Sequence, residues 1–217
     1  MFTKIITPLL NLIFPIECLA CRKENTYLCL SCLDKIKLAD QGQPFDHQLK
    51  HLDRALWVAS YEDKIVRQAI HCLKFRYIKE LAKPLTELMI RYCQNLNFKD
   101  FNPLIIPVPL HKKRLLERGF NQTELLAKNL SDYFNLPLAD EVVIKKKMTP
   151  HQVGLSKKQR LTNVKDSFEV IKPEKIKNQQ ILLIDDVITT GSTLEEMARV
   201  LKEKGAKEVW GLVVAKD

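Results

Sequence analysis

No run in this chain reaches the roughly 20 apolar residues of a membrane-spanning helix. The stretch 5–14 is about half that length, is interrupted by Pro8 and is closed by Pro15, so it reads as an amphipathic helix packed on the cysteine-bearing segment after it. No secretory leader is expected, because neither a basic start nor a small-residue cleavage site precedes Cys18. A cytoplasmic protein with reduced thiols is therefore expected. There is no internal repeat and no low-complexity tract, which argues against a solenoid or a long disordered arm. Nor does a Ser-His-Asp or Cys-His set announce covalent catalysis, so any chemistry has to come from positioning and charge.

What the chain does have is positive charge and paired cysteines. Lys and Arg number 35 against 26 Asp and Glu, a formal +9 with a pI near 9.2. That excess points to an anionic partner larger than a single phosphate. Cys18, Cys21, Cys29 and Cys32 form two CxxC knuckles close together in sequence. Four soft ligands at this spacing close a tetrahedral zinc site and leave no open position for chemistry, so the site is read as structural. Disulfides are the competing reading, disfavoured in a reducing compartment. His47 and His51 lie nearby but read as ordinary surface or loop residues, and Cys72 and Cys93 as small buried hydrophobes.

At this length the chain holds one core and a small appendage. Residues 41–51 are polar and contain Gly and Pro, as a linker does, which divides the chain into 1–50, a helix with a four-cysteine zinc module, and 51–217. Strand patterns at 54–61, 104–109, 141–145, 167–170, 180–185 and 208–215 alternate with helical ones at 65–73, 81–96, 121–134, 157–163 and 194–204. Gly205 closes the last helix as a left-handed stop. Such alternation implies an α/β class, a doubly wound, mainly parallel sheet.

Residues 181–193 read ILLIDDVITTGST. The apolar run suits a strand buried on both faces. Thr189, Thr190, Gly191, Ser192 and Thr193 then offer small side chains, one glycine free to take φ > 0, and backbone N–H groups at a helix start, a place for a phosphate. Asp185 and Asp186 stand beside it at the strand end, suited to ribose hydroxyls because carboxylates aimed at a phosphate would repel it. This string resembles the phosphoribosyl pyrophosphate (PRPP) signature of type I phosphoribosyltransferases.

Two basic segments should face the same crevice, since ligands of open parallel sheets bind beyond the carboxyl ends of the strands. One carries Lys112, Lys113, Arg114 and Arg118 ahead of Gly119, Phe120, Asn121 and Gln122, and the other Lys145, Lys146, Lys147, Gln152, Lys157 and Arg160. Cations there, with a metal, would stabilise a departing pyrophosphate. Phe75, Tyr77 and Phe120 interleave with Lys74, Arg76, Lys79 and Arg118, a pattern that suits base stacking along a single strand.

The double CxxC, the Arg-Gly-Phe-Asn-Gln run, the spacing of Thr149, Gln152, Leu155, Arg160 and Asn163, and the Asp-Asp-Val-x-Thr-Thr-Gly-Ser-Thr loop together resemble the ComF family of competence proteins over nearly the whole chain. The resemblance implies a phosphoribosyltransferase-like domain with structural zinc, a site for Mg²⁺-PRPP, and a role in natural transformation, where incoming DNA is single-stranded. One departure is that Lys145, Lys146 and Lys147 stand where arginines are common, which weakens bidentate phosphate recognition. Three roles stay open: a factor handling single-stranded DNA, a phosphoribosyltransferase with an unidentified acceptor, and a scaffold for a competence helicase or strand-loading protein. As an enzyme the chain would use Asp185 and Asp186 as its key acids, but no acceptor pocket and no glutaminase segment is legible.

Overall fold

The computed structural model describes residues 15–40, 45, 49–94, 101–148 and 164–217. The expected helices at 5–14 and 157–163, with Gln152, Lys157 and Arg160, lie outside them.

A parallel four-stranded sheet forms the centre. It is built from β1 (Arg54–Ser60), β2 (Leu104–Pro107), a long β5 (Gln180–Ile188) and β6 (Glu208–Lys216), in the order β1-β6-β5-β2. β3 (Val143–Lys145) and β4 (Phe168–Val170) make a separate antiparallel pair. Side chains alternate across the strands, so the sheet feeds two cores. Leu56, Val58, Ile105, Leu182, Ile184, Leu212 and Val214 point to one face. There they meet Val66, Ile70 and Leu73 of α2 (Lys64–Phe75), Leu85, Leu88 and Met89 of α3 (Ala82–Gln94), and Leu126 and Leu130 of α5 (Gln122–Phe134). Trp57, Ile106, Ile181, Leu183 and Val213 point to the other face, which is covered by Leu194, Met197 and Leu201 of α6 (Ser192–Glu203) and by Val143 and Phe168. Coverage of both faces explains why these strands read as continuous apolar runs.

The cysteine segment packs on the α2/α3/α5 side. Cys32 lies in the short helix α1 (Leu30–Leu33), and Leu33 and Ile36 join the same apolar cluster as α3. Arg91 of α3 closes the seam with Asp34 at 2.6 Å. Beyond it, the Ala39 N–H bonds to the Val58 carbonyl at 2.8 Å, running the chain along the free edge of β1. The linker is then pinned to α6: Glu195 accepts the backbone N–H groups of Lys50, His51 and Leu52 at 3.0–3.2 Å and meets His51 Nδ1 at 2.8 Å. Those bonds hold the Glu195 carboxyl below its ordinary range despite the opposing effect of burial.

Two segments differ from the sequence reading. The basic stretch after Pro109 is not an open loop: Lys112–Arg118 form a short helix, α4, capped by His111 and ended by Gly119 at φ 75°. None of its residues is buried and Leu116 is 84% exposed, so no apolar face betrays it in the sequence. β5 also runs past the two acids to Ile188, paired with β6 throughout.

Candidate functional site

The carboxyl end of β5 and the start of α6 build the crevice. Asp185, Val187, Ile188, Thr189, Gly191, Ser192, Thr193 and Leu194 line one small hollow. Gly191, at φ 74°, is the residue from which α6 departs. A methyl group there would stand 2.9 Å from Phe45 and 3.2 Å from Leu49, so the position requires glycine for its conformation and for space. Thr190 and Ser192 hydroxyls meet at 3.1 Å. The N–H groups at the start of this 12-residue helix point where an anion would sit.

The two acids do not share a task, because consecutive residues of a strand face opposite sides. Asp185 lines the hollow with the loop. Burial, and then the charge of Asp186, push its carboxyl up to about 7, against the pull of Lys74 and Lys145. Asp186 turns toward α2 and α5. Its Oδ1 takes Lys74 Nζ at 2.6 Å, its Oδ2 accepts from Gln122 Nε2 at 2.6 Å, and its side chain is 5% exposed. Gln122 in turn accepts from Arg118.

The Arg-Gly-Phe-Asn-Gln run is thus the joint that assembles this side. Gly119 ends α4, Asn121 caps α5 through the Thr123 N–H at 3.2 Å, and both Asn121 and Thr123 donate to the Val108 carbonyl just beyond β2. Phe120, expected as a stacking platform, is instead 7% exposed beneath Lys79, 5.0 Å from its ring centre, and is not available to a base. It belongs to the same buried apolar cluster as residues of α2, α3 and α5.

Cations surround the acids. Lys145 is brought in by the pairing of His111 with Lys145, and burial holds its ammonium below its usual range while Asp185 opposes that shift. Arg114 lies near enough to act on both Lys145 and Arg118. Lys112 opens α4 on the exposed side. Lys146 and Lys147 stand farther out, one 3.6 Å from Glu169 and the other on the Lys165 carbonyl at 3.2 Å. Lys74, a DNA-contact candidate by sequence, is committed to Asp186, and no local sequence signal marks that bond.

In the cysteine segment, the four Sγ atoms all lie within 4.8 Å of one another. Cys18 to Cys29 is 3.7 Å and Cys21 to Cys29 is 3.6 Å, close to the roughly 3.8 Å edge of a tetrahedron with Zn–S bonds of about 2.3 Å. All four thiols are free of disulfides. The Ser31 hydroxyl and Cys32 N–H bring Cys29 down to about 6, while bonds with Cys21 and Cys29 push Cys32 up to about 12. A thiolate crowded among thiols is what a zinc ion resolves, so the residues present fit a structural zinc.

Comparison with known proteins agrees with this arrangement. The phosphoribosyl transferase domain family matches residues 122–217. Competence protein F of Haemophilus influenzae is 31% identical over 93% of this chain and 98% of its own. The chain belongs to the ComF family. DNA utilization protein YhgH of Shigella flexneri, 35% identical over 73% of this chain and 71% of its own, is a further relative. Among solved structures, the glutamine PRPP amidotransferase of B. subtilis aligns with 62% of this ComF-family chain and 26% of its own length, at 15% identity and a TM-score of 0.42. The family carries a type I phosphoribosyltransferase fold with a parallel sheet, and here also a group of four cysteines able to bind zinc. Among the described residues no helix is long and apolar enough to cross a membrane.

Proposed function

We propose that this protein acts in DNA uptake for natural transformation, handling single-stranded DNA with a domain that keeps a ribose-phosphate site of the PRPP type. The similarity to Competence protein F along almost the full length of both chains carries the reading. The loop 189–193 would take the 5-phosphate and Asp185 the ribose hydroxyls, with Asp186 reached only by rearrangement. Mg²⁺ would enter with PRPP, and zinc would sit on Cys18, Cys21, Cys29 and Cys32. The DNA surface would follow the exposed end of α2, where Phe75 and Tyr77 are about half exposed on either side of Arg76 and the His71 ring lies tilted against Phe75 at 4.9 Å. Arg118, Lys146, Lys147, Lys157 and Arg160 would extend it electrostatically. A competence helicase or strand-loading protein is the natural partner class.

Fluorescence anisotropy of a labelled single-stranded oligonucleotide, at two salt concentrations and with or without Mg²⁺-PRPP, tests the reading. Salt-sensitive binding weakened by Phe75→Ala and Arg76→Ala is expected. Absence of binding at low salt would reject DNA handling. The second reading, transfer of ribose phosphate from PRPP to an acceptor with release of pyrophosphate, draws support from the intact loop beside Asp185. Pyrophosphate release on addition of candidate acceptors, lost in Asp185→Asn, would favour it.

A further inference from the structure

We propose that Lys74 selects ligands bearing a diphosphate on the anomeric carbon, by exchanging its ion pair with Asp186 for one with that diphosphate. The inference rests on the reading of the crevice as a PRPP-type site.

Both oxygens of Asp186 are already used, one by Lys74 and one by Gln122. The side chain is only 5% exposed, so a ribose hydroxyl reaches Asp186 by displacing one of these two covering partners. Gln122 is the worse candidate to leave: it is buried in the first turn of α5 and held at its other end by Arg118. Lys74 is 23% exposed and carries its ammonium on a flexible stem at the last turn of α2. Helix carbonyls there also favour a cation, so the ammonium can withdraw without stranding its charge.

Withdrawal has a cost that the ligand must offset, because breaking a largely buried pair leaves Asp186 under-compensated. Ribose 5-phosphate brings hydroxyls to Asp186 but places its only anion at the loop on the Asp185 side. A diphosphate at the other end of the sugar gives Lys74 a new anionic partner on the side where Arg118 already stands beside Asp186 through Gln122. The exchange is then one charge-assisted pair for another, and it occurs only with the diphosphorylated sugar.

Calorimetric titration of the full-length, zinc-loaded protein with Mg²⁺-PRPP and, separately, with ribose 5-phosphate plus Mg²⁺ tests this in wild type, Lys74→Gln and Lys74→Arg. Wild type should prefer PRPP. Lys74→Gln, which keeps a hydrogen bond to Asp186 but not the charge, should lose about 10-fold in PRPP affinity and leave ribose 5-phosphate within about 2-fold. Lys74→Arg should keep most of the preference and guards against a folding defect in the glutamine variant. Equal weakening of both ligands in Lys74→Gln, or an unchanged preference, would overturn the proposal while leaving the PRPP site standing. Failure of Mg²⁺-PRPP to bind wild type would instead remove the reading beneath it.

Discussion

The cysteine module and the parallel sheet contribute to one apolar cluster, yet they are held together by different means. The sheet buries complete layers on both faces, with Ile105, Ile181, Leu183, Ile184, Leu212 and Val213 all but inaccessible to solvent. The described part of the module has a four-residue helix, one bridge between Glu17 and Glu24, and a handful of apolar side chains such as Leu28, Leu33 and Ile36. So few contacts do not repay the entropy of ordering a segment of this size, whereas a tetrahedral metal site does. One half of the shared seam is self-supporting, and on the zinc reading the other depends on four thiolates.

Removing the metal is the most severe way to break that contrast. With zinc on the four cysteines, as proposed, chelation or Cys29→Ser would withdraw on the order of 10 kcal/mol of metal-binding energy from the module. Limited proteolysis should then cut between Cys18 and Lys37, while far-UV circular dichroism retains the signal of the α/β domain. Loss of both together would mean that the sheet leans on the module.

Asp185 offers a gentler probe confined to the sheet. Its folded carboxyl is raised from 3.8 to about 7, so between those values the native state holds more protons than the unfolded chain. Stability from this group is therefore full below about pH 4, falls as pH rises to about 7, and is level above, a loss of a few kcal/mol in order of magnitude. Thermal melts across this range should show the decline, and Asp185→Asn should flatten it and raise the melting temperature at pH 8. The same variant should lose ribose-phosphate binding, as expected where a functional acid is kept at a cost in stability.

Two glycines with similar backbone angles differ in what surrounds them. Gly119→Ala meets nothing within 4 Å and bears only the strain of φ 75°, about 1 kcal/mol. Gly191→Ala adds contact with Phe45 at 2.9 Å, and should cost about 1–3 kcal/mol and abolish phosphate binding. Urea denaturation of both, with phosphate titration, separates backbone strain from blockage of the loop. Smallest of all is Arg91→Ala. It cuts the 2.6 Å link to Asp34, but Asp34 is well exposed, so a loss below about 1 kcal/mol is expected in chemical denaturation.

The sequence conveys most of the sheet, because strands covered on both faces must be apolar throughout, as 181–184 and 104–106 are. It conveys the small-residue turn into α6 at 189–193 for a related reason: glycine, small hydroxyls and a helix start are all local. It misses the last residues of β5, since two acids look like the end of a buried strand unless their partners are known. Those partners, Lys74 and Gln122, arrive from other helices. It misses α4 because a helix with no buried residue leaves no periodic apolar trace. Phe120 misleads because cations beside an aromatic in sequence do not say whether the ring is covered, as Lys79 covers this one.

The most direct test of the account is natural transformation in a host deleted for this gene and complemented with wild type, Asp185→Asn or Arg91→Ala at equal protein levels. Wild type and Arg91→Ala should restore uptake of marker DNA, and Asp185→Asn should not. Full restoration by Asp185→Asn would contradict it, separating the ribose-phosphate crevice from DNA uptake.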